Sequence, residues 1–147
     1  WKGLSASVNF AWQSGKWMIN NDRYFTSNPG EFGLSYNQTA DMLNMWTTPG
    51  QVTDVPAFGE KLTYAGDDTR WLEDASFCRL KNLTVAYDFP TTLVNKWGLS
   101  GLQLHFTGRN LWTITNFSGY DPEPLSNRVQ FQFPNTRQFE FGLEVSF

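Results

Sequence analysis

The stretch from Gln138 to Phe147 constrains the fold most. Phe139, Phe141, Leu143, Val145 and Phe147 occupy the odd positions, and Gln138, Glu140, Gly142, Glu144 and Ser146 the even ones. Unbroken period-two alternation describes an extended strand with one apolar face. Its length, about ten residues, is what a tilted strand needs to cross a bilayer. A helix over the same residues would scatter the apolar side chains around its circumference. The sequence then stops on an aromatic residue, an ending for the apolar row that resembles a C-terminal assembly signal.

The pattern recurs upstream. In 101–115, Leu102, Leu104, Phe106, Trp112 and Ile114 oppose Gln103, His105, Thr107, Arg109, Thr113 and Thr115; Gly108 and Asn110 interrupt the first set and Leu111 the second. In 76–89, Phe77, Leu83, Val85, Tyr87 and Phe89 oppose Asn82, Thr84, Ala86 and Asp88, with Arg79 and Lys81 on the apolar side. Those two cations meet lipopolysaccharide phosphates, snorkel to the interface, or mark a locally irregular strand. A fourth strand spans 3–12 (Leu4, Ala6, Val8, Phe10, Trp12), and a weaker fifth runs from Lys16 to Phe25.

The connections alternate in length. Gln13-Ser14-Gly15 reads as a tight turn, 26–75 as a long excursion, 90–100 as a short link and 116–136 as a second long loop. Short turns on one side and long loops on the other describe an outer-membrane barrel, whose short turns are periplasmic and long loops extracellular. A structureless loop as long as 26–75 counts against a compact soluble domain. On this topology the last strand descends to the periplasmic face, and Tyr87, Phe89 and Trp97 form a lower aromatic girdle. His105 and Arg109 face the lumen.

Composition agrees. No run of about 18 apolar residues exists to form a membrane helix. Mean hydropathy is -0.43, as expected where only alternate strand residues meet lipid. Aromatic residues make up 17% of the chain, which suits interfacial girdles or a sugar-binding surface. The net charge of -3 and scattered cations exclude nucleic acid as a partner. Cys78 and His105 are the sole cysteine and histidine, so no disulfide, metal site or cofactor is expected. The chain opens at Trp1 with no signal segment and reads as a piece of something longer.

The long loop is acidic, with a short helix expected over Gln38–Trp46 capped by Thr39. Trp46, Phe58 and Tyr64 either stack on a ligand or pack the loop against itself or a partner. Tyr120 and Asp121 are candidate loop contacts; Asp121 reads first as a turn residue before Pro122, with cation binding as the alternative. Nothing places two carboxylates across a cleft, so no catalytic residue and no enzymatic activity is expected.

Several runs resemble one family. Leu72-Glu73-Asp74-Ala75-Ser76-Phe77-Cys78-Arg79-Leu80-Lys81-Asn82-Leu83-Thr84, Thr107-Gly108-Arg109-Asn110-Leu111-Trp112-Thr113, Ser118-Gly119-Tyr120-Asp121-Pro122-Glu123 and Phe133-Pro134-Asn135-Thr136-Arg137 with Phe139-Glu140-Phe141-Gly142-Leu143 occur in that order. With the stretch Trp46 to Pro56 before them, they resemble SusC/RagA-like TonB-dependent transporters of Bacteroidetes. Cys78 stands where that pattern has an aliphatic residue and Arg109 where it has Gln.

The resemblance implies an all-β, antiparallel barrel of about 22 strands closed by a plug. Residues 1–147 would be its C-terminal part, roughly the last five strands with extracellular loops 26–75 and 116–136. It implies active import of oligosaccharides or oligopeptides with a SusD-like surface lipoprotein, energised by TonB through an N-terminal part absent from this chain. The other partners implied are the plug and remaining barrel, the outer-membrane assembly machinery and outer-membrane lipid. A passive porin-type barrel and a soluble carbohydrate-binding β-sandwich are the alternatives. The sandwich would bury its apolar face.

Overall fold

A computed structural model describes residues 2–30, 35–59 and 68–147; Tyr64 lies outside them. The described strands are, in chain order, β1 (Leu4–Gln13), β2 (Trp17–Asn20), β3 (Leu72–Asp74), β4 (Phe77–Asp88), β5 (Gly101–Thr115), β6 (Arg128–Val129) and β7 (Gln138–Ser146). Two short helices, α1 (Asn21–Thr26) and α2 (Thr91–Val94), accompany them. The chain divides into a sheet unit (1–14, 77–115 and 134–147) and a loop unit (15–76 and 116–133).

The sheet unit is a meander of the four long strands in the order β1-β4-β5-β7, every pair antiparallel. Its rows follow from the register. Leu4, Tyr87, Leu104 and Leu143 lie abreast, as do Ala6, Val85, Phe106 and Phe141, then Val8, Leu83, Gly108 and Phe139. Phe10, Leu80 and Trp112 continue the face, followed by Trp12, Cys78 and Ile114. At the other end Leu102 pairs with Val145. Five two-residue steps separate the first and last rows; at about 3.3 Å per residue and a tilt of about 40° they cover about 25 Å, the height of a barrel's apolar band. Among the described residues, β1 and β7 each pair on one side only.

The register slips between Asn9/Phe10 on β1 and between Leu80/Asn82 on β4. Lys81 is the extra residue of a β-bulge, and a bulge reverses the phase of side chains beyond it. Below it the odd residues Leu83, Val85 and Tyr87 share the apolar face; above it the even residues Leu80 and Cys78 do. Arg79 therefore lies on the polar face, not on the apolar one as uninterrupted alternation predicts. There it is buried, its Nε donates to Thr113 Oγ1 at 2.8 Å, and its guanidinium stands 5.9 Å from the Phe77 ring. On β5 the slip is absorbed at Asn110, in the left-handed region at φ 52, a conformation asparagine tolerates better than most residues. Its side chain donates to the Thr136 carbonyl at 3.2 Å.

β4 and β5 are joined through Pro90, α2 and a tight turn ending at Gly98, φ 76. This is the short connection expected over 90–100. The Gln13-Ser14-Gly15 turn does not join neighbouring strands. β1 pairs with β4 from Leu4↔Tyr87 to Gln13↔Phe77, so β1 ends beside the start of β4, and Gln13 is where the chain leaves the sheet. The four strands pass into or out of the loop segments at this one end.

The fifth strand expected over 16–25 is only β2, which leads directly into α1. Asn20 ends it by accepting the Arg23 N–H at 3.3 Å as a helix N-cap, the role that short amides favour. In the loop unit β2 lies between β3, antiparallel, and β6, parallel. Met18, Ala75, Phe117 and Val129 form its buried cluster. The helix expected over Gln38–Trp46 is a 3-10 turn, Ala40–Asn44. Thr39 stands at its N-cap position without a capping bond; its hydroxyl shares a 2.8 Å hydrogen bond with Ser27 instead.

Candidate functional site

The two faces of the sheet offer opposite chemistry. The apolar face is bare: Trp12 is 73% exposed, Phe141 76% and Leu143 63%. Phe106 and Phe141 pack across strands with ring centroids 4.9 Å apart. The buried apolar residues of these strands, Phe77 and Ala86, face the other way. An apolar face of this extent is untenable in water, and a β-sandwich would have covered it. Rings crowd its two ends: Trp12 and Trp112 at one, and Tyr87 with Phe89, centroids 5.0 Å apart, at the other. Trp97 in the short link is 59% exposed.

The polar face carries His105 and Arg109, as alternation predicts. Ser5, Ala86, His105 and Gly142 lie abreast. The His105 ring lies over Gly142 so closely that a Cβ there would come within 2.1 Å of Nε2. Only glycine leaves room for the ring. Arg109 reaches Glu140 at 3.2 Å, both side chains more than half exposed, so the pair adds little stability. Thr84 and Thr107 share a 3.2 Å hydrogen bond, and Gln103 donates to Asp88 at 2.7 Å. Leu111 covers the bare Gly108, restoring apolar surface where the sequence shows an interruption.

In the loop unit, residues of two of the runs that carry the family resemblance meet across 45 positions of sequence. Glu73 accepts from the Ser118 N–H at 2.8 Å and from its hydroxyl at 2.9 Å. It also takes the Arg23 guanidinium at 2.8 Å and the Asn20 amide at 3.3 Å. Burial works to raise the Glu73 pKa, but the hydrogen bonds from Arg23 and Ser118 outweigh it and hold the carboxyl below its usual range. The neighbouring residues serve the same junction. Asp74 accepts the Ser76 N–H at 2.8 Å, Ala75 is wholly buried, and Ser76 Oγ accepts from Gly15 at 3.0 Å.

Lys16 forms a second tie. Its ammonium donates to the Pro122 carbonyl at 2.7 Å and to the Pro124 carbonyl at 2.6 Å. Burial pulls its pKa down, against the opposing pull of Asp121 and Glu123. Asp121 is buried and accepts the Glu123 N–H at 3.0 Å, the turn role expected of it. Tyr120 is 73% exposed. Gly119 is required because a Cβ would come within 2.3 Å of the Phe117 ring.

Trp46 is partly exposed and belongs to a turn that closes on itself, its N–H donating to the Val55 carbonyl at 2.9 Å. Thr53 Oγ1 donates to Asn44 O at 2.6 Å. Phe58, 49% exposed, lines a cavity of about 480 Å³ with Pro29, Ala40, Met42, Leu43 and Met45. No cluster of metal-ligating side chains occurs among the described residues. Sequence reasoning did not single out Glu73, Ser118, Arg23 or Lys16. The signal for the first two is that Glu73 and Ser118 sit inside runs that carry the family resemblance, at positions where strand alternation needs neither.

The relatives agree with this geometry. No protein-family model matches the chain. TonB-dependent receptor P3 of Formosa agariphila is 36% identical over 76% of this chain and 12% of its own length. TonB-dependent receptor P26 of the same organism is 29% identical over the whole chain and 16% of its own length. The chain thus spans about one sixth or less of the receptors it matches. Among solved structures, the RagAB peptide importer in its open-open state aligns with the whole chain at TM-score 0.88 and 43% identity, over 16% of that chain. Its closed-closed state aligns at TM-score 0.87 with the same identity and coverage. These relatives are receptors and importers, not enzymes. The chain belongs to the TonB-dependent receptors, in their SusC/RagA-like group, as a section of the outer-membrane β-barrel.

Proposed function

We propose that this chain forms part of an active importer of oligopeptides, working with a SusD-like surface lipoprotein and energised by TonB through parts of the receptor outside this chain. The observation that carries this reading is the 43% identity along the entire chain to the RagAB peptide importer. Oligosaccharide import is the second reading, favoured by the aromatic content of 17%. Within such a receptor the apolar face of the four-stranded sheet meets lipid, while His105 and Arg109 face the lumen and its plug. Residues 26–75 and 116–136 are extracellular. Phe139, Phe141, Leu143, Val145 and Phe147 also present the apolar row that the assembly machinery captures by strand addition. The outer edges of β1 and β7, at opposite sides of the sheet, take the remaining barrel strands, since lipid cannot satisfy an open edge.

The test is uptake by cells carrying the full-length receptor and lacking it, offered defined oligopeptides or oligosaccharides. Receptor-dependent peptide uptake that stops when the proton gradient is collapsed is the expected result. Gradient-independent flux would identify a passive channel, and receptor-dependent uptake of sugars alone would select the second reading.

A further inference from the structure

We propose that the 3-10 turn Ala40–Asn44 divides a paired subsite, in which an apolar side chain of a peptide enters one cavity and an adjacent cationic group the other. The inference rests on the peptide-import reading above. In a 3-10 turn, residues three apart share a face. Ala40 and Leu43, with Met42, Met45, Pro29 and Phe58, give the cavity of about 480 Å³ its apolar lining, and Asn28, Gln38 and Thr39 stand beside them. Asp41 and Asn44 instead line a neighbouring cavity of about 330 Å³, together with Arg23, Asp54 and Arg70. One short turn therefore has an apolar wall and an acidic wall.

The charges decide what the second cavity accepts. Arg23 is held by Glu73 at 2.8 Å, and the Arg70 guanidinium lies over the Trp71 ring at 5.0 Å. The carboxylates of Asp41 and Asp54 make no hydrogen bond or ion pair among the described residues. With Arg23 neutralised by Glu73, the two carboxylates outnumber Arg70 in the lining, so the net charge is negative and the complementary group is a lysine, an arginine or an N-terminal amine. The first cavity is large enough for a bulky side chain and presents mostly thioether and aliphatic surface, which adapts to differing apolar shapes.

The test uses the full-length receptor with its lipoprotein and three fluorescent peptides of equal length, differing only in a central Phe-Lys, Phe-Glu or Ser-Lys pair. Binding is read by fluorescence anisotropy. The Phe-Lys peptide is expected to bind about tenfold more tightly than either other peptide. D41N with D54N should abolish its advantage over Phe-Glu, while A40F, which fills the first cavity, should abolish its advantage over Ser-Lys. Heat-modifiability on gels confirms that each variant is folded. Equal binding of all three peptides, or variants that leave the ranking unchanged, would overturn the subsite while leaving peptide import standing. No binding of any peptide, with binding of a labelled oligosaccharide, would overturn both.

Discussion

Glu73→Ala removes the carboxylate that ties β2, α1 and the Ser118 turn together. The side chain accepts four hydrogen bonds, from Arg23, Asn20 and the N–H and hydroxyl of Ser118. A hydrogen bond to a charged group contributes about 1.5–3 kcal/mol. The Arg23 contribution is discounted because that side chain is 37% exposed, which lets water screen the pair. A local destabilisation of about 3 kcal/mol remains, or about 150-fold more frequent opening of this junction. Hydrogen exchange on the full-length receptor reads this directly, with faster exchange expected in 15–20 and 116–123 and none in β4, β5 or β7. Glu73→Gln keeps an acceptor for the Ser118 N–H but leaves Arg23 without its counter-charge, so its effect should be smaller. The pH dependence has a fixed sign. The folded pKa lies below the ordinary glutamate value, so the contribution is whole from neutral pH down to that value and is lost as acid titrates the folded carboxyl. Glu73→Gln should abolish that acid-dependent loss. Unchanged exchange at 116–123 in Glu73→Ala would refute the reasoning, because the junction would then be held by something other than this carboxylate.

Other consequences follow for the barrel wall and its ends. Arginine at Val85, Leu104 or Leu143 should cost about 2–4 kcal/mol near the bilayer midplane, whereas arginine at Thr84, Gln103 or Glu144 should cost less; the measure is the amount of heat-modifiable barrel. Phe147→Ala should leave precursor in the periplasm while the barrels that do assemble melt near the wild-type temperature, and wild-type surface levels with a lowered melting temperature would leave Phe147 a packing role alone. An impermeant thiol reagent on intact cells, with Cys78 replaced, should label single cysteines placed at Leu43 or Tyr120 but not at Thr92, and the reverse pattern would invert the topology.

Much of the wall is legible in the sequence because alternation is a direct record of which side each residue faces. β7 and the lower halves of β4 and β5 follow it residue by residue. The upper half of β4 does not, because a bulge at Lys81 leaves no mark in a pattern of apolar and polar letters. Arg79 and Lys81 then look like charges on an apolar face, when the phase has turned over and Arg79 packs beside Phe77 and Thr113. The segment 16–25 reads as a strand because Trp17, Ile19 and Phe25 are spaced for one. The deciding feature is local, since Asn20 caps a helix and ends the extended run. The loop junction is visible only as runs that carry the family resemblance. That Glu73 and Ser118 meet depends on pairing of β2 with β3 and β6, which no short-range pattern reports. The exposed loop residues Trp46, Phe58 and Tyr120 carry no periodicity, so their surroundings had to come from the structure.

The phase reversal on β4 offers the most direct test that this chain is a section of a membrane-spanning wall. Single nitroxide labels at each position from Phe77 to Asp88 in the full-length receptor, reconstituted in bilayers, report accessibility to oxygen dissolved in lipid. The account predicts high accessibility at Leu83, Val85 and Tyr87 and low accessibility at Asn82, Thr84 and Ala86. Beyond Lys81 the pattern should invert, with Cys78 and Leu80 accessible and Phe77 and Arg79 protected. Accessibility at odd positions along the whole strand would contradict the bulge, and the absence of any two-residue period would contradict the barrel wall itself.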